Sequence, residues 1–402
     1  MNISLADIKK ARETLTGVAV RTELAYTNTL SDMTGNSVYL KMENQQRTGS
    51  FKLRGAYNKI ANLNEAEKKT GIIASSAGNH AQGTALAGTL FGISSTIVMP
   101  KSAPLSKIKA TQSYGANVVL HGSVYDEAYA EARRIQAEKQ LTFIHPFDDP
   151  MVIAGQGTIA LEILEDLPDV EVIVVPIGGG GLISGIAIAI KNLKPNVKVI
   201  GVQTKNMPSM LEAIAQKKIV TCNGCPTIAD GIAVKTPGEI TFELVQRYVD
   251  DIVTVDEEEI ASAILLLMER VKTISEGSGA VAAAAVLNRL QEYKNRKIAA
   301  IISGGNIDVN MMSRIINKGL TKSGRKVIFN MVIPDKPGSL WKLLQLTAET
   351  GANVLNVTHH RESRGVALGY ATVELELETA DQAQIDAIKY LMEQQQYCVN
   401  IV

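Results

Sequence analysis

Apolar runs alternate with helical segments along the first 320 residues, and that alternation limits the fold more than any other feature. Strands are expected near 38–42, 72–75, 96–99, 117–120, 142–144, 172–175, 198–202, 252–255 and 298–302. Between them, 3.6-residue spacing predicts helices over 53–63, 80–91, 123–139, 152–166, 182–192, 257–271 and 279–293. An opening helix is expected at 4–15, capped by Ser4 with Asp7 three residues on. Strands separated by helices pair in parallel and need cover on both faces, which is a doubly wound α/β arrangement. Nine or ten strands are many for one sheet and point to two, with a smaller lobe over about residues 48–150. Ligands in such folds bind beyond the carboxyl ends of the strands.

The pattern changes near Lys318–Arg325, a polar, glycine-punctuated stretch that reads as a linker. Beyond it come a strand (326–333), a turn at Pro334–Gly338, a helix (339–350), strands at 353–360 and 366–377, a helix (381–394) and a last strand (397–402). That order, βαββαβ, is the ferredoxin-like arrangement. Two domains are therefore expected, 1–320 and 325–402.

Charge narrows the class of partner. Lys+Arg and Asp+Glu are both 41, so no basic excess favours nucleic acid or a membrane surface. The longest apolar runs are too short or too alanine-rich to span a bilayer. The N-terminus starts directly on a helical pattern with no signal sequence, and three cysteines suit a reducing compartment, so a cytoplasmic location is expected. Cys222 and Cys225 form a lone C-x-x-C with no second ligand pair, and no metal is expected.

Lys52 stands near the start of a predicted helix between Phe51 and Leu53. Burial there would lower its pKa and make it an amine nucleophile or base. On this stretch alone an ordinary surface lysine remains open. Three glycine-rich turns, each after an apolar strand, tip the balance. Ser75-Ser76-Ala77-Gly78-Asn79-His80 offers hydroxyls and bare amides at a helix start, suited to a carboxylate, though it also reads as a well-made turn with His80 packed. Gly178-Gly179-Gly180-Gly181-Leu182 lets backbone N–H groups converge on a phosphate. The dinucleotide fingerprint G-x-G-x-x-G fails, because Ile183 and Ser184 stand where its third glycine would be. Ser303-Gly304-Gly305-Asn306 offers a hydroxyl that caps a helix or faces a ring nitrogen.

Taken together, Ser50-Phe51-Lys52-Leu53-Arg54-Gly55-Ala56, Ser75 to His80, Gly178 to Gly181 and Ser303 to Asn306 resemble the threonine/serine dehydratase branch of the fold type II pyridoxal-phosphate enzymes, which are tryptophan synthase β-like. The resemblance covers residues 1–320 and implies pyridoxal 5'-phosphate as cofactor. It assigns Lys52 to carry the cofactor and move the α-proton, Asn79 to the ring hydroxyl, Gly178 to Gly181 to the phosphate and Ser303 to the ring nitrogen. Phe51 and Leu182 complete the cofactor set. Ser76, catalytic with Lys52, would take the substrate carboxylate with Ala77, Gly78, Asn79 and His80. The implied reaction is α,β-elimination: L-threonine to 2-oxobutanoate and ammonia, and L-serine to pyruvate. A serine at the ring nitrogen weakens the electron sink relative to an aspartate, which disfavours transamination.

Two departures separate relatives. Serine racemases carry a serine where this chain has Ala77, so racemisation should be minor. They also bind a divalent metal through carboxylates at positions that here are Gln203 and Ser209. Asp230-Gly231 resembles a substrate-facing loop and equally reads as a plain turn. Residues 325–402 resemble an ACT domain, through Asp335 to Leu340 and Gly351 to Val354. This implies an amino-acid effector near Gly338 and Asn353, with isoleucine or valine the candidates, and AMP the rival regulator. A module that only pairs subunits is the alternative. A homodimer or homotetramer is implied.

Overall fold

The computed structural model describes residues 3–362 and 365–401. They form two compact units, Met1–Asp308 and Val309–Val402.

The first unit holds two sheets. The larger runs in the order Leu24–Tyr26, Ser37–Lys41, Lys297–Ile301, Val172–Pro176, Lys198–Thr204, Asp251–Val255. Its neighbours are parallel except for Leu24–Tyr26, which pairs antiparallel with Ser37–Lys41. The smaller, all parallel, runs Asn117–Leu120, Ser95–Met99, Ile72–Ser75, Thr142–Phe143. Each expected strand is present to within two residues. Leu24–Tyr26 was not anticipated, since three residues are too few to show an alternation. The short helices Asn28–Thr34, Glu65–Thr70, Leu105–Ser113, Ser209–Gln216 and Glu239–Tyr248 also went unread.

The opening helix Leu5–Thr14 has the expected start: Asp7 N–H donates to Ser4 Oγ, and Ser4 N–H donates to the Asp7 carboxylate. The core explains why the glycine-rich turns are held still. Val172–Pro176 is buried at every position, and the helix Gly181–Leu193 is buried at each residue from Gly181 to Ile190. Each Ile or Val so buried contributes about 1.5–3 kcal/mol. Its neighbour Pro150–Asp166 approaches closely: a Cβ on Gly185 would lie 2.3 Å from the Ile153 carbonyl oxygen. The glycines at the head of this helix thus sit on an element that packing fixes on all sides.

The second unit has an antiparallel sheet in the order Asn353–His360, Tyr370–Glu378, Lys326–Pro334, Cys398–Ile401, with helices Ser339–Glu349 and Gln382–Gln394. Phe329, Leu343, Leu375, Leu377 and Ile388 form its core. This is the expected βαββαβ order. Two details differ. The stretch read as a linker from Lys318 is helical to Lys322, the end of Val309–Lys322, because Ile315 and its neighbours continue an amphipathic pattern. The chain turns only at Gly324, at φ +68°, where Arg325 N–H donates to the Leu320 carbonyl. That helix belongs to the second unit, so the division falls at Asp308/Val309 and not near 320. The strand expected from 366 starts at Tyr370, after Gly369 at φ +87°.

Candidate active site

Lys52 opens the helix Lys52–Ala61. The chain enters it along the end of the large sheet: Ser50 bridges Gly304, and Phe51 N–H donates to the Ser303 carbonyl at 3.2 Å. The side chain then reaches across to Pro146, whose carbonyl accepts from Nζ at 2.8 Å. Burial pulls the Lys52 pKa down to about 8, against the opposing pull of Glu276. A lysine poised there has an appreciable neutral fraction near neutral pH.

The residue after Pro146 meets the glycine turn. A Cβ on Gly179 would fall 2.3 Å from the Phe147 ring, and one on Gly181 would lie 2.8 Å from the Phe147 carbonyl oxygen. Gly180, at φ +96°, adopts a conformation that side chains disfavour. Thr241 Oγ1 donates to the Gly179 carbonyl at 2.6 Å and pins the turn. No side chain caps the Gly181–Leu193 helix, so its first N–H groups have neither an intrahelical nor a side-chain acceptor. Free N–H groups in such a turn make a cradle suited to an anion.

The helix Asn79–Leu90 packs on Lys52–Ala61, with a Cβ on Gly83 lying 3.1 Å from the Lys52 carbonyl carbon. Its N-terminus also lacks a side-chain cap. Ser76, Ala77, Gly78 and Asn79 are half-buried at the turn, and Gly78 N–H donates to Ser76 Oγ at 3.2 Å. His80 is different. Its ring is buried and Nε2 donates to the Ile144 carbonyl at 2.8 Å, which leaves Nδ1 without a partner. Burial, then Lys52, pulls its pKa to about 3, so the ring is neutral. The side chain lies beneath the turn and not upon it.

Ser303 follows the strand Lys297–Ile301 and is buried, with Oγ donating to the Ser278 carbonyl at 3.3 Å. It caps no helix, since the next begins at Val309. Contacts thus link Phe51 to Ser303, Lys52 to Pro146, the next residue Phe147 to Gly179 and Gly181, and Asn79 to the Ser303–Asn306 turn. Leu182 is buried at the base of the cradle.

Sequence reading missed Glu276, and it named Asp230 and Asn306 without giving either a partner. Glu276 is buried and accepts from Asn79 Nδ2 at 2.5 Å. Burial and then Asp230 push its pKa up to about 7. Asp230 itself opens a 3-10 turn, Asp230–Ile232, and accepts from Lys107 Nζ at 2.6 Å. Asn306 Nδ2 donates to Asn79 Oδ1 at 2.8 Å. The sequence did carry one signal for Glu276: an acid inside a Ser-Glu-Gly-Ser-Gly turn before an alanine-rich helix. Gln203 and Ser209 serve structure, accepting from Leu211 N–H at 2.9 Å and donating to the Val234 carbonyl at 2.6 Å. Among the described residues, no three His, Cys, Asp or Glu side chains are grouped to hold a metal, and no helix is long and apolar enough to cross a membrane.

The two-sheet α/β fold and a buried lysine with a lowered pKa suit an enzyme of the class that keeps a phosphate-bearing cofactor on a lysine. Residues 15–304 match the family described as pyridoxal-phosphate dependent enzyme, and the chain belongs to that family. It is 59% identical over 400 residues to the L-threonine ammonia-lyase of Thermotoga maritima, covering all of both chains. The processed form of threonine deaminase isoform 2 from Solanum lycopersicum superposes with a TM-score of 0.74 at 41% identity, over 78% of this chain and 86% of that one. Maize serine racemase gives 0.75 at 33%, over 80% and 99%.

The residues present fit pyridoxal phosphate. Burial lowers the pKa of the Lys52 amine, the glycine turn leads into a helix start with no side-chain cap, and Ser303 supplies a hydroxyl. Two further buried hydroxyls, Ser75 Oγ and Ser278 Oγ, have no partner among the described residues.

Proposed function

We propose that this chain is an L-threonine ammonia-lyase, converting L-threonine to 2-oxobutanoate and ammonia, with L-serine to pyruvate as a side reaction. The observation that carries it is Lys52: an amine with its pKa lowered to about 8, held by the Pro146 carbonyl, on the residue after Phe51, whose N–H donates to the Ser303 carbonyl. Kinship with the Thermotoga maritima enzyme along the full chain supports the choice of substrate.

The chain's own groups take the following roles. Lys52, Phe51, Asn79, Gly178 to Gly181, Leu182 and Ser303 hold pyridoxal phosphate, which when bound supplies the electron sink that acidifies the α-carbon of an amino acid joined to it. The uncapped start of Asn79–Leu90, with Ser76, binds the substrate carboxylate. Lys52 Nζ, in its neutral form, removes the α-proton. Ser303 presents a neutral hydroxyl where a carboxylate would strengthen the sink, which favours loss of the β-hydroxyl over transamination. Ala77 brings no hydroxyl to the opposite face, so a proton returned there has no donor from this position, and racemisation stays minor. Water then releases the 2-oxo acid and ammonia.

The second unit acts as an ACT regulatory domain that binds isoleucine or valine near Gly338 and Asn353. Gly338 is at φ +87° with open space around its Cα, and Trp341, 63% exposed, stands three residues on. The functional chain is a homo-oligomer, and we place it in the cytoplasm.

The test is 2-oxo acid release from L-threonine and L-serine in parallel, with Lys52→Ala as control. Faster 2-oxobutanoate formation, lost in the variant, supports the reading. Pyruvate alone moves the assignment to serine, and neither acid from cofactor-loaded protein rejects it.

A further inference from the structure

Glu276 is a buried carboxyl, bonded to Asn79, that the reaction above leaves without a task. It precedes the helix Gly277–Asn288, whose residues Gly277 to Val286 are all buried, and its own N–H donates to the Gly304 carbonyl at 3.1 Å. The backbone that carries it is therefore fixed. Its side chain crosses to the start of another helix and accepts from Asn79 Nδ2 at 2.5 Å.

The orientation of the Asn79 amide follows from chemistry alone. The Thr48 carbonyl can only accept, so the Asn306 atom 2.8 Å from it is nitrogen. The same nitrogen lies 2.8 Å from the Asn79 amide, so the Asn79 atom facing it is the oxygen. Asn79 Nδ2 must then point the other way, toward the Glu276 carboxyl, which can accept whether ionised or protonated. Both neighbours demand the same rotamer. Glycine at 304 keeps the space: a Cβ there would lie 2.4 Å from Glu276 Oε1 and 3.1 Å from Asn79 Nδ2.

We propose that Glu276 is a positioning residue for the cofactor. With Asn306 it clamps the Asn79 amide, so that the second N–H of Nδ2 is held toward the ring oxygen of bound pyridoxal phosphate. The inference rests on the cofactor reading above. The charged groups facing Glu276 come from three elements: Lys52 on Lys52–Ala61, Lys107 on Leu105–Ser113 and Asp230 on its turn. Asp230 opposes ionisation of Glu276 while the two lysines favour it, and burial outweighs them. Ionised or protonated, the carboxyl offers an accepting oxygen, so the clamp holds across the pH range in which the lysine works.

The experiment titrates apo protein with pyridoxal phosphate, following the visible band and the dissociation constant, for wild type, Glu276→Ala, Glu276→Gln and Asn306→Ala. Removing the acceptor should weaken cofactor binding roughly tenfold and move or broaden the band, since an amide freed at one end reorients. Glutamine keeps an accepting carbonyl, so Glu276→Gln should hold the dissociation constant to within about threefold of wild type. Wild-type affinity and an unchanged band in folded Glu276→Ala overturn the proposal. So does a Glu276→Gln as weak as the alanine variant, because charge and not orientation would then matter. If Glu276→Ala does not fold, Asn306→Ala decides: weakened binding supports the clamp and wild-type binding rejects it. A wild type that takes up no cofactor overturns the functional reading and the clamp together, and that arm tells the two failures apart.

Discussion

Arg54 and Glu43 are joined by two hydrogen bonds, Nε to Oε2 at 2.9 Å and Nη2 to Oε1 at 2.8 Å, with neither side chain reaching solvent. Glu162 takes Arg54 Nη1 at 2.6 Å and also Lys41 Nζ at 2.6 Å, so two cations and two carboxylates balance inside the protein. Burial raises the Glu43 carboxyl, yet Arg54 outweighs it and holds the pKa below the usual range. Arg54 lies two residues beyond Lys52 on one helix, so the cluster anchors the element that presents the amine.

Breaking that cluster on one side should be costly. Arg54→Met leaves Glu43 and Glu162 facing Lys41 alone, and denaturant unfolding should report a loss of about 3–5 kcal/mol. A change under about 1 kcal/mol would mean that water reaches the carboxylates.

The glycine cradle should tolerate no side chain. Gly180→Ala places a Cβ 2.8 Å from both Met210 Cε and Thr241 Cβ, at a φ that disfavours it. The strain, about 1–3 kcal/mol, should lower pyridoxal-phosphate affinity by roughly tenfold or more in equilibrium dialysis.

Proton linkage gives Lys52 a signature in the apo protein. Its pKa falls from 10.5 unfolded to about 8 folded, so between those values the unfolded chain binds more protons and stability rises with pH. Below pH 8 both states are charged and the full burial penalty stands. Glu276, raised from 4.5 to about 7, acts oppositely: stability falls as pH rises through that window. Unfolding curves from pH 5 to 10.5 should lose the upper rise in Lys52→Met and the lower fall in Glu276→Gln.

Lys107 and Asp230 tie the helix Leu105–Ser113 to the Asp230–Ile232 turn. Asp230 is over half exposed, so Lys107→Met should cost under about 1 kcal/mol of stability. A comparable loss of substrate positioning should lower kcat/KM for L-threonine roughly fivefold, in steady-state assays at low and high salt. A variant with wild-type kcat/KM would leave the pair a surface contact only.

Regulation should separate from catalysis. Asn353 Nδ2 donates to Glu378 Oε2 at 3.1 Å, at the start of its strand. Gly338→Val or Asn353→Ala should abolish the Trp341 fluorescence response to isoleucine or valine while uninhibited turnover stays within about twofold. A response that survives in both variants would remove the effector from this site.

Local rules made much of this legible. Buried strands such as Val172–Pro176 announce themselves as apolar runs, and Ser4 with Asp7 marks a helix start through neighbours three residues apart. Lys52 could be singled out because glycine turns after strands can only lie at the ligand-binding edge of such sheets. Glu276 could not be weighed in the same way. Its partner Asn79 is 197 positions away, and its pKa is set by burial that no window of sequence reports. His80 reads both as a substrate contact and as a packed residue, and its ring is packed because the Ile144 carbonyl takes its N–H. The helix running to Lys322 was hidden by a composition that suits a linker equally well.

The order of strands in the large sheet also sets a timetable. Ser37–Lys41 lies between Leu24–Tyr26 and Lys297–Ile301, so its parallel partner leaves the ribosome only after residue 297 is made. At about 5–20 residues per second, the early strand waits on the order of 13–50 s with one edge bare. Phe51 and Ser303 meet through that same late pairing, so a nascent chain cannot assemble the lysine and the serine hydroxyl into one pocket until the first unit is nearly complete. Chains that stop short of residue 297 consequently lack both the sheet's central pairing and this contact.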